Sequence, residues 1–131
     1  MVPLRSLLFW LRQRLDRVNY LEPGAKIHTD SWISGSSLSS ETVVGKGCNL
    51  YKATLVGKVD ISRYTSLWGP DVYIGSGDYG VSIGSFCSVA HHVSIQEEFH
   101  NPQRTTTYFF EKNFLKEPPL PNSKISKGAI K

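Results

Sequence analysis

One histidine stands where a regular pattern stops. Residues 83–100 read IGSFCSVAHHVSIQEEFH: aliphatic residues recur in sixes at Ile83, Val89 and Ile95, and the count then breaks off at His100. An imidazole as a residue type titrates near neutrality. On a loop at the rim of a rigid scaffold it can take the proton of a hydroxyl and serve as a general base. Glu97 and Glu98 lie close enough in sequence to fix its tautomer and stabilise the imidazolium, a task a backbone carbonyl performs equally well. A surface histidine in an acidic turn has the same sequence, and the chemistry of the residues leaves both readings open.

Other chemistry-bearing residues are weaker candidates. His91 and His92 fall at the third and fourth positions of a hexapeptide and are expected to point outward, and His28 stands where the repeat has a glycine. No Cys/His spacing fits a metal site, so none is expected. Gly75, Gly77 and Gly80 spell a literal G-x-G-x-x-G. A dinucleotide fingerprint needs a helix to open at the third glycine, so that its dipole meets a pyrophosphate. Here the chain continues as VSIGSFC, another strand, and these glycines read as a turn bulging from the fold.

The scaffold follows from the sixes. Octapeptides starting at residues 27, 44, 61 and 83 read IHTDSWIS, VGKGCNLY, ISRYTSLW and IGSFCSVA. Their first column is Ile27, Val44, Ile61, Ile83; the seventh is Ile33, Leu50, Leu67, Val89; the fifth is small throughout, at Ser31, Cys48, Thr65 and Cys87. A further apolar column is expected at Leu38, Leu55 and Val72. Six is not a multiple of 3.6, so no amphipathic helix produces this pattern. Hexapeptides with one aliphatic and one small inward residue mark a parallel β-helix, in which three of them make a coil of about 18 residues. Successive starts lie 17, 17 and 22 residues apart, and the longer interval places an insertion at 73–82. The expected fold is all-β: a parallel β-helix of hexapeptide repeats over residues 21–131, with an N-terminal helix at 1–20 and a long excursion loop at 96–126.

Charge and composition bound the function. In 131 residues the net charge is +4, with four Arg against one Asp in residues 1–20 and six Lys/Arg against two Glu in 101–131. The repeat region between them is slightly acidic, which disfavours a nucleic-acid groove. No apolar run reaches the length of a membrane span. Leu4, Leu7, Leu8, Leu11, Leu15 and Val18 form one face of the N-terminal helix. It either packs on the domain or on a neighbouring subunit, or lies on a membrane surface through residues 4–18, where Phe9 and Trp10 beside arginines suit a lipid interface. The excursion carries TTTYFF (105–110), Phe114 and the turn-rich EPPLPNS, and loops of such length are usually functional. The final SKGAIK reads as a strand starting again.

The run IGSFCSVA, the loop histidine, TTTYFF and SKGAIK, with RYTSLWGPD (63–71) before them, resembles the hexapeptide-repeat acetyltransferases. The resemblance spans about residues 27–131. It is closest to the xenobiotic acyltransferase branch, which includes streptogramin and type B chloramphenicol acetyltransferases and enzymes of surface-polysaccharide clusters. It implies a left-handed β-helix, a cytoplasmic homotrimer with active sites between subunits, and acetyl-CoA as the donor. It makes His100 the general base for an acceptor hydroxyl, supported by Glu97 and Glu98, with Tyr64, Gln96 and Tyr108 touching the acceptor. EFHNPQR departs from the residues that antibiotic-acetylating members have around the histidine, which leaves the acceptor unassigned. In the family, KG-x-I leads into coils that bind coenzyme A, so the resemblance implies an N-terminal part whose donor coils follow Lys131. The expected activity is O-acetyl transfer to a sugar or glycan hydroxyl, at the inner membrane face if the helix lies there. The alternative is a non-catalytic β-helix fragment or trimerisation module.

Cys48 and Cys87 share a column two coils apart, about 9–10 Å between Cα atoms at the spacing of neighbouring strands, beyond disulfide reach. A thiol titration of denatured, unreduced protein is expected to return two free groups per chain; none, with a mass lower by two hydrogens, would refute the coil register.

Overall fold

The computed structural model describes residue 11 and residues 14–131. Residues 20–96 wind as a parallel β-solenoid whose turns each visit three faces, and with the returning C-terminal segment the turns number about five. The first face stacks Tyr20–Leu21, Ser37–Leu38, the second halves of Asn49–Val56 and Ser66–Gly75, and Val93–Gln96. The second stacks Lys26–Ile27, Val43–Val44, Val59–Ile61 and Val81–Ile83. The third stacks Trp32–Ser34, the first halves of Asn49–Val56 and Ser66–Gly75, and Ser88–Val89. The two long strands bend around the corner between the third and first faces, which joins those faces into one sheet.

The aliphatic columns stack in register. Ile27, Val44, Ile61 and Ile83 pair in sequence on the second face. Ile33, Leu50, Leu67 and Val89 do so on the third. The column on the first face runs Leu21, Leu38, Leu55, Ile74, Ile95. Ile74 therefore takes the position expected of Val72, which stacks on Ala53 instead. The change arises from a register shift between Tyr51 and Ala53, where Gly69–Pro70–Asp71 oppose the single residue Lys52. The 22-residue interval thus comes from two insertions, one at this corner and one in the turn at 76–80, and the strand Ser66–Gly75 runs straight through the start of the segment expected to bulge.

Parallel strands buried in a coil need apolar inward residues, and the core is Leu38, Leu50, Leu55, Ile61, Leu67, Ile74 and their valine neighbours. The small column does more than fill a corner. The Ser31 hydroxyl donates to the Gly45 carbonyl (2.7 Å) and accepts the Cys48 N–H (3.1 Å). One coil on, the Cys48 thiol donates to the Ser62 carbonyl (3.1 Å). Thr65 then repeats the serine pattern with Gly84 (2.6 Å) and the Cys87 N–H (3.2 Å). Each corner thus satisfies backbone groups that the flat strands leave over, which is why the column wants a small side chain with a donor. Both cysteines are free.

Most of the expected N-terminal helix lies outside the described residues, including Leu4, Leu7, Leu8, Phe9, Trp10 and Arg12. Its end is described: Leu11, Arg14 and Leu15 are helical, Leu15 and Val18 are exposed, and Tyr20 already belongs to the first strand. No helix among the described residues is long and apolar enough to cross a membrane.

After Gln96 the chain leaves the solenoid. Glu98–His100 pairs antiparallel with Lys124–Ser126, so the excursion proper is 101–123 and its ends are tied together. Of the segment expected to restart the repeat (126–131), Ser126 ends the antiparallel strand and Ile130 rejoins the solenoid, bridging Val81 in parallel.

Ile61 is fully buried and its neighbour Asp60 is exposed. Ile61→Asp places an unpartnered carboxylate in the column and is expected to cost several kcal/mol, on the order of the whole stability of a small domain. Asp60→Ala is expected to stay within about 0.5 kcal/mol. Urea melts of the two variants check this; equal losses would refute the inward and outward assignment.

Candidate functional site

The residues where the repeat ends gather around one corner. Gln96 closes the last strand of the first face, Glu97 turns the chain, and Glu98–His100 begins the antiparallel pair in which His100 faces Lys124 in register. Glu97 falls at the bend between the strands Val93–Gln96 and Glu98–His100, and the two glutamates take different partners. Glu97 goes inward and is almost fully buried. Its Oε2 accepts the backbone N–H groups of Gly77 (2.7 Å), Tyr79 (3.2 Å) and Gly80 (3.3 Å), while the Ser126 hydroxyl donates to Oε1. The glycine-rich turn is therefore an anion nest, and the anion is the protein's own carboxylate. Gly80 sits at φ +95°, which favours glycine, and a Cβ at Gly77 would displace the Glu98 side chain packed against it.

Burial alone would raise the Glu97 pKa. The hydrogen bonds from Ser126 and from the Gly77, Gly80 and Tyr79 backbone outweigh it and hold the carboxyl below its ordinary value.

Glu98 pairs with Lys124 across the antiparallel strands. Neither glutamate therefore holds the His100 imidazole, contrary to the supporting role expected of them. His100 is exposed, and its ring lies against Phe109 with centroids 5.1 Å apart. Among the described residues its side chain makes no hydrogen bond. The excursion that brings Phe109 here is anchored at its neck. The Asn101 amide donates to the Asn122 carbonyl (2.9 Å), and Arg104 bonds the Ser123 hydroxyl (2.8 Å) and pairs with Glu111. The self-directed backbone bond of Glu111 lowers its carboxyl pKa, burial opposes this, and Arg104 adds to the lowering.

These elements enclose a cleft of about 340 Å³ on the outer side of the first face. His100, Gln96, Tyr73, Glu98, Lys124 and Phe109 are on its wall. That volume is within the roughly 300–1,000 Å³ typical of small-ligand sites. Two residues expected here are elsewhere. Tyr64 sits at the opposite corner, between the second and third faces, where its ring covers Gly47 and stacks on Phe86 at 5.4 Å. Tyr108 is exposed on the excursion; the next residue, Phe109, faces the cleft instead. His91 and His92 are exposed on the solenoid, with His92 Nδ1 3.1 Å from Asp71. His28 accepts the Asp30 N–H (3.1 Å) at another corner.

Sequence reasoning missed Tyr73, Phe109 and Lys124. Tyr73 has a signal in retrospect, because it alternates with Val72 and Ile74 on a strand and must face out. Lys124 has none, since only the antiparallel pairing brings it opposite His100. No group of three or more His, Cys, Asp or Glu among the described residues is placed to hold a metal ion. Comparison with protein-family models, curated proteins and solved structures returns no match for this chain.

The depressed Glu97 pKa has a signed consequence. Its stabilising effect is complete above the ordinary glutamate value of 4.5 and drains away as pH falls through the lower folded value. Glu97→Gln is expected to flatten part of the acid limb of stability, with Glu111 supplying the remainder. Glu97→Ala leaves three N–H groups without an acceptor and is expected to cost about 3 kcal/mol at neutral pH. Denaturant melts between pH 3 and 7 (a range spanning the ordinary carboxylate titration) check both; an unchanged pH slope in Glu97→Gln would show that the nest does not bind the anion.

Proposed function

We propose that the chain is an acyltransferase of the hexapeptide-repeat type, a left-handed β-helix working as a trimer, that moves an acetyl group from acetyl-CoA to a sugar or glycan hydroxyl. The observation that carries this reading is His100 on the wall of a ligand-sized cleft, at the point where a rigid solenoid gives way to an excursion. The fold and the order of motifs support it through the resemblance to the xenobiotic acyltransferase branch.

The chemistry is a direct transfer. A nitrogen of the His100 imidazole takes the proton of the acceptor hydroxyl as its oxygen attacks the thioester carbonyl. The tetrahedral intermediate collapses with cleavage of the C–S bond. The imidazolium returns its proton to the leaving thiolate, giving an O-acetyl sugar and free coenzyme A. Phe109 against the ring limits its rotation, and Tyr73 and Gln96 offer hydroxyl and amide groups to the acceptor. Lys124, opposite His100 in register, is paired with Glu98 and so is not left as a bare cation in the cleft. A second reading, a non-catalytic β-helix module that serves assembly, is favoured by one observation: the two nearby carboxylates are engaged elsewhere, so among the described residues no carboxylate is bonded to the imidazole.

In the natural gene product, His100→Ala is expected to cut acetyl transfer to a panel of sugar acceptors by about 10²–10⁴-fold. His91→Ala and His92→Ala are expected to leave the rate near wild type. Thiol release from acetyl-CoA reads all three. Full activity in the His100 variant would remove the catalytic role, and no turnover by the unaltered protein with any acceptor would favour the assembly module.

A further inference from the structure

The His100 cleft has a neighbour. On the same outer face a second depression of about 530 Å³ is lined by Asp16, Gly35, Lys52, Thr54, Asp71 and Tyr73 among others. Tyr73 belongs to both. Its backbone is registered between Thr54 and Ser94, and its ring leans along the strand over Gly75, where a Cβ would lie 2.7 Å from the ring. A partly exposed aromatic ring thus forms the saddle between the two depressions. Its register partners are short and hydroxyl-bearing, Thr54 and Ser94, and Ser76 follows just past the strand end.

Both lysines lining this surface are paired: Lys52 bonds Asp16 at one end and Lys124 bonds Glu98 at the other, while Asp71 lies 3.1 Å from His92 Nδ1. A polyanion would need unpaired cations to replace its counterions, and these pairs supply none. Hydroxyls, amides and paired charges around an exposed aromatic ring instead suit a neutral polyhydroxylated chain. Such a chain lays the C–H face of one ring on the aromatic and hydrogen-bonds on both sides of it.

We infer that the two depressions are one groove, and that its ligand is a neutral oligosaccharide that runs across Tyr73, with the residue to be modified at His100 and further sugar residues over Thr54 and Asp71. This rests on the acetyltransferase reading for the end at His100; the binding itself does not require the chemistry. Asp71 and Thr54 are then specificity-determining residues for acceptor length, lining the second depression and not the His100 cleft.

The test is a glycan array of neutral mono- to hexasaccharides, probed with the whole protein in the absence of acetyl-CoA. Signal is expected to rise with chain length, by about tenfold between one and four residues, which corresponds to about 1.4 kcal/mol. Thr54→Trp, which fills the second depression, is expected to abolish that rise and leave monosaccharide binding unchanged. Asp71→Asn gives a second reading should the tryptophan upset folding, because Asn tolerates the φ of +60° found there; it is expected to reduce the rise several-fold. Failure to bind any glycan, a preference for anionic chains, or equal losses for short and long chains in the variants would overturn the groove. Acetyl transfer to single sugars without length preference would overturn it and leave the transferase reading standing, whereas length-dependent binding with no transfer would do the reverse.

Discussion

Everything in this structure depends on the closure of one coil onto the next in register. The strands are two to ten residues long and lie alongside the corresponding strand of the coil before and after. Their backbone groups have no partners within their own coil, so each N–H and C=O on a face must find its acceptor or donor one coil away. That requirement stacks like positions on like. Ile27, Val44, Ile61 and Ile83 are a column for the same reason that Ser31, Cys48, Thr65 and Cys87 are: a residue's environment is built from its own repeats. Burial of the columns at about 25 cal/mol per Å² of apolar surface drives the winding, and the ladder of hydrogen bonds fixes the register in which it winds.

A coil that must close in register can accept extra residues only at its corners. The chain uses two such places. Gly69–Asp71 bulges out where the third face turns into the first, and residues 76–80 do so where the first turns into the second. The second insertion exposes a run of backbone N–H groups with no strand to receive them. Glu97, from the next coil, supplies one carboxylate for three of them and reaches Ser126 with its other oxygen. One side chain thereby joins the inserted turn, the end of the repeat and the returning strand. These three segments are also the ones that frame the cleft holding His100, so the geometry of the cleft is set by a buried anion that takes no part in its lining.

The proposed chemistry sits where regularity fails. Along the flat faces every outward position is repeated each coil and offers only a row of similar side chains. At the end of the repeat, the antiparallel pair of Glu98–His100 with Lys124–Ser126 and the excursion between them bring together side chains far apart in sequence. Rigid coils beneath and an anchored loop above are what a positioned base needs, and they also leave the first face open as a track along which a chain-like acceptor could lie.

The sequence by itself determined the solenoid. A period of six with one aliphatic and one small position has a single regular solution, and the two columns read at Ile27–Ile83 and Ile33–Val89 are the ones that stack. It also marked the end of the repeat, a turn in the glycine-rich segment followed by a strand, and His100 as the residue left outside the pattern. What it could not determine are relations between residues that no repeat connects. Val72 was displaced from its column by Ile74 because a two-residue insertion at a corner is invisible until the register of the neighbouring coil is known. Glu97 and Glu98 look equivalent in sequence, yet the bend at Glu97 puts one into the nest and the antiparallel strand that follows takes the other to Lys124. Tyr64 and Tyr108 looked like cleft residues, whereas Tyr73 and Phe109 hold those places, because the face a side chain occupies depends on which corner precedes it. Local periodicity is written in a few consecutive residues; the partners of an excursion are chosen by the packing of the whole, and only the tertiary structure records that choice.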